Sequence, residues 1–281
     1  WDSIAGQYPE LEAVDIEGAR KQTVTICVLN STEVSASALH FARFATARDR
    51  GLDFFGKHGF ERVEGDVWEP KPNVVYFAGG LNKHAAQPLI TAFEKREGCK
   101  VEPIWMGCGL LVARMKGGET PDVYHTCDES FHAMVENKFD ELMNISQTDI
   151  IIMVPKDNPK NISTLQDLTK PGMRVGIADD NKTALGKLTV NLLRDEGVLE
   201  AVNNNVESTF PEAPMVVGQL TQGALDAGLV YVANAHAQRD KVKMIKIENQ
   251  LSRATQTYAI SKASKHKNLM RRLRGYLQSD A

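Results

Sequence analysis

Again and again between Asn73 and Tyr231, a short apolar stretch ends in a small or capping residue and runs straight into a helical stripe. "NVVYFAG" (73–79) passes through Gly79 and Gly80 into a stripe of Ala86, Leu89, Ile90 and Phe93. "KVEPIWM" (100–106) leads through Gly107 and Gly109, with Cys108 between them, to Leu111, Val112 and Met115. "DVYHTC" (122–127) stops at Asp128, a good N-cap because its carboxylate can accept from the first free helical amides. "DIIIMVP" (149–155) reads as a buried strand, "STLQ" (163–166) as a capping box, and "MRVGIAD" (173–179) precedes a stripe of Leu185, Leu188 and Leu192. Pro214 suits the first turn of a short helix, and "AGLVYV" (227–232) is a further strand. Strands alternating with helices predict α/β architecture with mostly parallel sheets and ligands at the carboxyl ends of the strands.

The chain has 281 residues, 42% hydrophobic and 25% charged, enough for two lobes with their own cores. A formal net charge of −3 shows no bias toward nucleic acid or an anionic membrane surface. No apolar run approaches the roughly 18 residues of a membrane-spanning helix, and no N-terminal signal pattern is present. Since the chain begins at Trp1, it reads as a processed or trimmed piece of something longer. The four cysteines, Cys27, Cys99, Cys108 and Cys127, show no CxxC spacing and leave the redox compartment open.

A faint repeat links the two ends. "DIEGARKQTVTICV" (15–28) and "KIENQLSRATQTYAI" (246–260) share an I-E pair and a T-x-T entry into an apolar strand, and a helical stretch follows each. Phe41 and Phe44 stand in the first helix where Leu273 and Tyr276 stand in the second. The repeat predicts that residues 1–71 copy the element that closes the chain, with Cys27 in a strand equivalent to that of Ala259.

Small residues at strand-to-helix turns leave unpaired backbone N–H groups and positive dipole ends facing one space. Such a space binds anions without a fixed cation. Tight packing alone would also explain small residues at any single turn.

From Asn73 onward, the ordered series "VVYFAGGLNKHAAQPLITAFEKREGCKVEPIWMGCGLLVARMKGGETPDVYHTCD", "IIIMVPKDNP", "LTKPGMRVGIADDNKTALGK" and "LDAGLVYVANA" resembles the molybdate- and tungstate-type solute-binding proteins of ABC importers. These are type II periplasmic binding proteins. "HFARFATARDRGLDFFGKHGF" (40–60) resembles their closing helices. The resemblance implies a two-lobed fold, one lobe of residues 72–150 with 246–281 and the other of 151–245, closing by a hinge on a small oxyanion. It further implies a periplasmic or extracytoplasmic location, delivery to a membrane permease, no cofactor and no bond-making chemistry. Neither nucleic-acid binding nor direct membrane insertion is expected. The family's first serine position falls on Leu81, where only the amide remains, with Asn82 as a substitute donor. Its second serine falls on Cys108 and a contacting alanine amide on Cys127. Further amides fall on Leu185 and near Ala213 to Met215, and the family's tyrosine hydroxyl is kept as Tyr231.

Cysteines at two mapped positions put the ligand in question, because a thiol donates a hydrogen bond less well than a hydroxyl. A thiophilic ligand, a disulfide and simple space-filling all remain open. A ligand-sensing domain, or an enzyme with Cys108 as nucleophile, are the other readings. His84, His125 and His132 lie near the cysteines in sequence and read as solvent-facing. Asp179 and Asp180 read as a capping turn, and "KASKHKNLMRRLR" (262–274) as a solvated helix face striped by Leu269, Met270 and Leu273.

Overall fold

A computed structural model describes residues 10, 17–18 and 22–279. The chain divides into two compact units. The first comprises 1–74, 88–102 and 264–281, the second 75–87 and 103–263.

In chain order, the helices are α1 (Ser35–Ala45), α2 (Gly51–Lys57), α3 (Lys83–Glu97), α4 (Cys108–Lys116), α5 (Glu129–Ala133), α6 (Ala184–Asp195), α7 (Leu199–Asn203), α8 (Ala213–Thr221), α9 (Val232–His236) and α10 (Lys267–Leu277). The strands are β1 (Asn73–Gly79), β2 (Lys100–Met106), β3 (Val123–His125), β4 (Phe139–Pro155), β5 (Val175–Ala178), β6 (Val206–Phe210), β7 (Ala227–Tyr231), β8 (Val242–Lys246) and β9 (Arg253–Ser261).

Helices dominate the first unit. Glu97, fully buried, receives Arg272 Nη2 at 3.1 Å and Arg43 Nη1 at 3.4 Å. Asp66 caps α10, its carboxylate accepting from the amides of Asn268 (2.8 Å) and Leu269 (2.9 Å) and so satisfying two otherwise free helical donors. Leu269, Met270 and Leu273 are buried as the stripe predicts, and Arg272 turns inward to Glu97. The repeat holds only for its helix. Residues 22–29 form no strand, Val24 is 69% exposed and Cys27 is exposed. Residues 15–16 and 19–21 of the repeat lie outside the described residues. Phe41 and Phe44 are exposed on α1, whereas Leu273, matched to Phe41 by the repeat, is buried; Phe44 meets Trp68 edge-on, ring centroids 5.2 Å apart.

The second unit carries the sheet, ordered β2-β1-β3-β9-β4-β7-β5-β6, with β8 also paired to β4. β1 with β3, and β5 with β6 and β7, are parallel as predicted. The sheet is nevertheless mixed, since β9 runs antiparallel to β3 and β4, and β4 antiparallel to β7 and β8. The cause is β4. Its apolar half, Ile150–Pro155, matches the predicted strand and pairs with β7 and β8, while its polar half, from Phe139 to Asp149, pairs along β9. One strand thus belongs to two cores. The first gathers Phe77, Cys108, Leu111, Met115, Tyr124, Phe131 and Ala259; the second Ile150–Val154, Val175, Leu185, Leu192, Val216 and Leu229. Leu81 packs against both.

Terminal chemistry follows the sequence with one shift. Asp128 accepts from Ser130 N at 3.0 Å, as an N-cap should, and Pro214 sits in the first turn of α8. The capping box forms one residue later than "STLQ" predicts, from Thr164 with Asp167, because a carboxylate at the third helical position accepts amides better than Gln166 could.

Candidate functional site

Two sulfurs meet over a glycine at the carboxyl end of β1. A Cβ at Gly79 would collide with Cys127 Sγ and stand 2.9 Å from Cys108 Sγ, so only glycine lets the strand pass beneath the pair. Cys108 is the first residue of α4 and wholly buried; Cys127 follows β3 and is 6% exposed. The Cys127 amide donates to Cys108 Sγ at 3.2 Å, and the Leu81 amide hydrogen-bonds the Cys127 sulfur. Both thiols are free. The hydrogen bond from the Cys127 thiol holds Cys108 below the usual thiol range despite burial; that same bond, with burial, pushes Cys127 well above it.

Two phenols face this pair. Tyr231, at the end of β7, and Tyr124, within β3, are buried; the Tyr231 hydroxyl has no hydrogen-bond partner among the described residues, and the Tyr124 hydroxyl interacts with the Cys108 thiol. Burial, then the nearby Cys127 and Cys108 thiols, raise Tyr231 well above the phenol range. Burial raises Tyr124 as well, with the Cys108 thiol next in effect. Tyr124 is the residue sequence reasoning missed: its hydroxyl reaches the site only through the register of β3, and no spacing signal marks it. Asp128 supplies negative charge to Tyr231 and both thiols, and no cation appears among the groups acting on Tyr231.

The turn before α6 closes against the turn before α4. A Cβ at Gly109 would stand 2.7 Å from Asn181 O, and one at Gly107 would strike Lys182 O. Thr183 caps α6 through Gly186 N at 2.9 Å, which leaves Leu185 buried in the helix's first turn. Asp179 accepts from the amides of Asn181 (2.9 Å) and Lys182 (3.2 Å), the predicted capping turn.

Leu81, Cys108, Cys127 and Tyr231 are therefore brought together, with the first turn of α6 packed beside the α4 turn. Asn82 is placed otherwise. Its amide donates to Thr126 O at 3.0 Å and His125 O at 3.4 Å, which fixes the end of β3 rather than offering those hydrogens to a ligand. Ala213 opens α8 and packs on the second core, and Met215 beside it is exposed. His125 and His132 are buried, against the solvent-facing expectation; only His84 is exposed. Tyr76 Oη pairs with His125 Nδ1 at 2.5 Å, and burial drives His125 down to about 3. No group of three or more His, Cys, Asp or Glu that could hold a metal ion occurs among the described residues.

The sequence profile of the bacterial extracellular solute-binding protein family matches residues 74–281. The molybdate-binding protein ModA of Mycobacterium tuberculosis is 25% identical over 179 residues, 62% of this chain; the match spans 66% of that protein's length. Among solved structures, the periplasmic molybdate-binding protein of Azotobacter vinelandii superposes with a TM-score of 0.59 at 15% identity, covering 73% of this chain and 93% of that one. The sulfate-binding protein SubI from M. tuberculosis superposes with a TM-score of 0.63 at 17% identity, covering 74% and 82%. These likenesses confirm the two-lobed type II periplasmic-binding fold. By the profile match over most of its length, the chain belongs to the bacterial extracellular solute-binding protein family.

Proposed function

We propose that the chain is the extracytoplasmic solute-binding component of an ABC importer and captures a small oxyanion of the molybdate and tungstate class. The observation carrying this reading is the buried, unpartnered Tyr231 hydroxyl, set beside the Leu81 and Cys127 amides and the first turns of α4 and α6. Those groups are hydrogen-bond donors without formal charge, the kind of set that holds an oxyanion by amides and helix ends. The relatives named as molybdate- and sulfate-binding share the fold and support the same solute class. The lobe of 72–150 with 246–281 and that of 151–245 close on the solute through the crossing strands β4 and β9 and present it to a permease.

Calorimetry with molybdate, tungstate and sulfate on the reduced chain tests the reading. Saturable one-to-one binding, weakened by Tyr231→Phe, is expected. No heat with any of the three, and no oxyanion accompanying the protein in native mass spectrometry, would overturn it.

A further inference from the structure

The thiol pair offers a kind of bond that a tetrahedral oxyanion does not use. The donors aimed at this point are already engaged by sulfur, the Leu81 amide by Cys127 and the Cys127 amide by Cys108. A tetrahedral oxyanion has to exchange those sulfur bonds for its own oxygens, close to Asp128. A soft cation alone would satisfy the sulfurs but leave the buried Tyr231 hydroxyl without an acceptor. A ligand that uses the thiols and the phenol together is uncharged, carries a thiophilic centre and keeps at least one oxygen.

We infer that Cys108 and Cys127 form a dithiol site for a trivalent metalloid oxyacid, with arsenous acid as its simplest representative. This rests on the reading above that Leu81, Tyr231 and the α4 turn belong to the solute site. Each thiol sulfur forms a bond to arsenic as one arsenic–oxygen bond breaks, and each thiol proton leaves with the departing hydroxyl. Two arsenic–sulfur bonds form and two waters are released; arsenic stays trivalent, and no oxidant or reductant takes part. The hydroxyl left on arsenic accepts from Tyr231, with Tyr124 as the second phenol in reach. Cys108, at the start of α4 with its sulfur accepting the Cys127 amide, is the sulfur prepared to attack first. Cys27 and Cys99 take no part: Cys27 is exposed in a segment without strand partners, and Cys99 belongs to the other unit.

The test uses the full reduced chain in oxygen-free buffer, with sodium arsenite as the ligand. Native mass spectrometry should show one adduct per chain, with the mass of arsenous acid less two waters. Arsenic K-edge absorption should show two sulfur neighbours and one oxygen. Cys108→Ser should weaken binding at least a hundredfold, Cys27→Ser should leave it unchanged, and Tyr231→Phe should weaken it roughly tenfold. Three oxygens around arsenic, three sulfurs, or no adduct would overturn the inference on the unmutated chain, whatever the variants do. Parallel titration with molybdate and tungstate separates the two claims. Their binding without arsenite overturns this inference alone, failure of all three overturns both claims, and arsenite binding with the tetrahedral anions excluded upholds the inference while removing the oxyanion reading.

Discussion

The Cys127 amide donates to the Cys108 sulfur across 3.2 Å, which joins the end of β3 to the first residue of α4 directly above Gly79. The geometry works only while position 79 has no side chain.

Gly79→Ala should therefore destabilise the fold by about 1 to 3 kcal/mol, the usual cost of forcing an extra methyl into a packed core. Urea unfolding measures it. Because the collision is with one sulfur above all, Gly79→Ala combined with Cys127→Ala should cost less than the sum of the two single changes. Additive losses would mean the glycine serves the backbone alone.

Glu97 is fully buried beneath Arg43 and Arg272, and burial lowers Arg43 from its ordinary value. Glu97→Ala strands buried guanidinium charge, and a loss of about 3 to 5 kcal/mol in chemical denaturation is expected. A change under about 1 kcal/mol, the scale of exposed ion pairs, would show that water reaches these arginines.

His125 makes stability depend on pH in a definite direction. Burial holds it neutral down to about 3, whereas an unfolded chain protonates it near the ordinary histidine value of about 6.5. A depressed histidine stabilises the fold fully above the unfolded value and loses that contribution as pH falls toward the folded one. Between pH 6.5 and 4 it should remove up to about 1.4 kcal/mol per pH unit. His125→Gln should flatten that part of the stability profile, with circular dichroism melts as the readout; an unchanged slope would place its origin in other groups.

The parts of the fold that were legible in the sequence were those fixed by local chemistry. Asp128 and Pro214 mark helix starts wherever they occur in such a setting, and the stripe of Leu111, Val112 and Met115 has one apolar face to bury. What escaped depends on partners far along the chain. The polar half of β4 becomes a strand because β9 lies beside it, and residues 22–29, with good strand composition, stay outside the sheet. The site divides in the same way. Leu81, Cys108, Cys127 and Tyr231 follow the order of family motifs, but Tyr124 enters through strand register, and Asn82 looks like a donor until Thr126 O takes its amide.

Gly109 lies 2.7 Å, as a would-be Cβ, from the Asn181 carbonyl. Backbone cannot yield as a flexible side chain does, so Gly109→Ala should hold the α4 and α6 turns apart. Solute affinity should fall tenfold or more, about 1.4 kcal/mol, and the thermal midpoint of the ligand-free protein should fall as well, because the contact is made without solute. An unchanged affinity in the destabilised variant would show that the contact serves the fold and not solute capture.

Replacing the thiols gives the sharpest contrast between solutes. In Cys108→Ser the sulfur that now accepts the Cys127 amide gives way to a hydroxyl, a better donor to an anion's oxygen. In Cys127→Ala the Leu81 amide loses its sulfur acceptor and becomes free to donate to a solute. The double variant should therefore bind tungstate or molybdate more tightly than the reduced parent. One recovered hydrogen bond to a charged group is worth about 1.5 to 3 kcal/mol, or roughly ten- to a hundredfold in affinity. The same variant should lose arsenite altogether, since no sulfur remains at the site. Side-by-side calorimetry with the two ligands measures both effects. A double variant that binds tungstate no better than the parent would mean that the sulfurs do not occupy the anion's donors, and Leu81 and Cys127 would then have to be removed from the solute site.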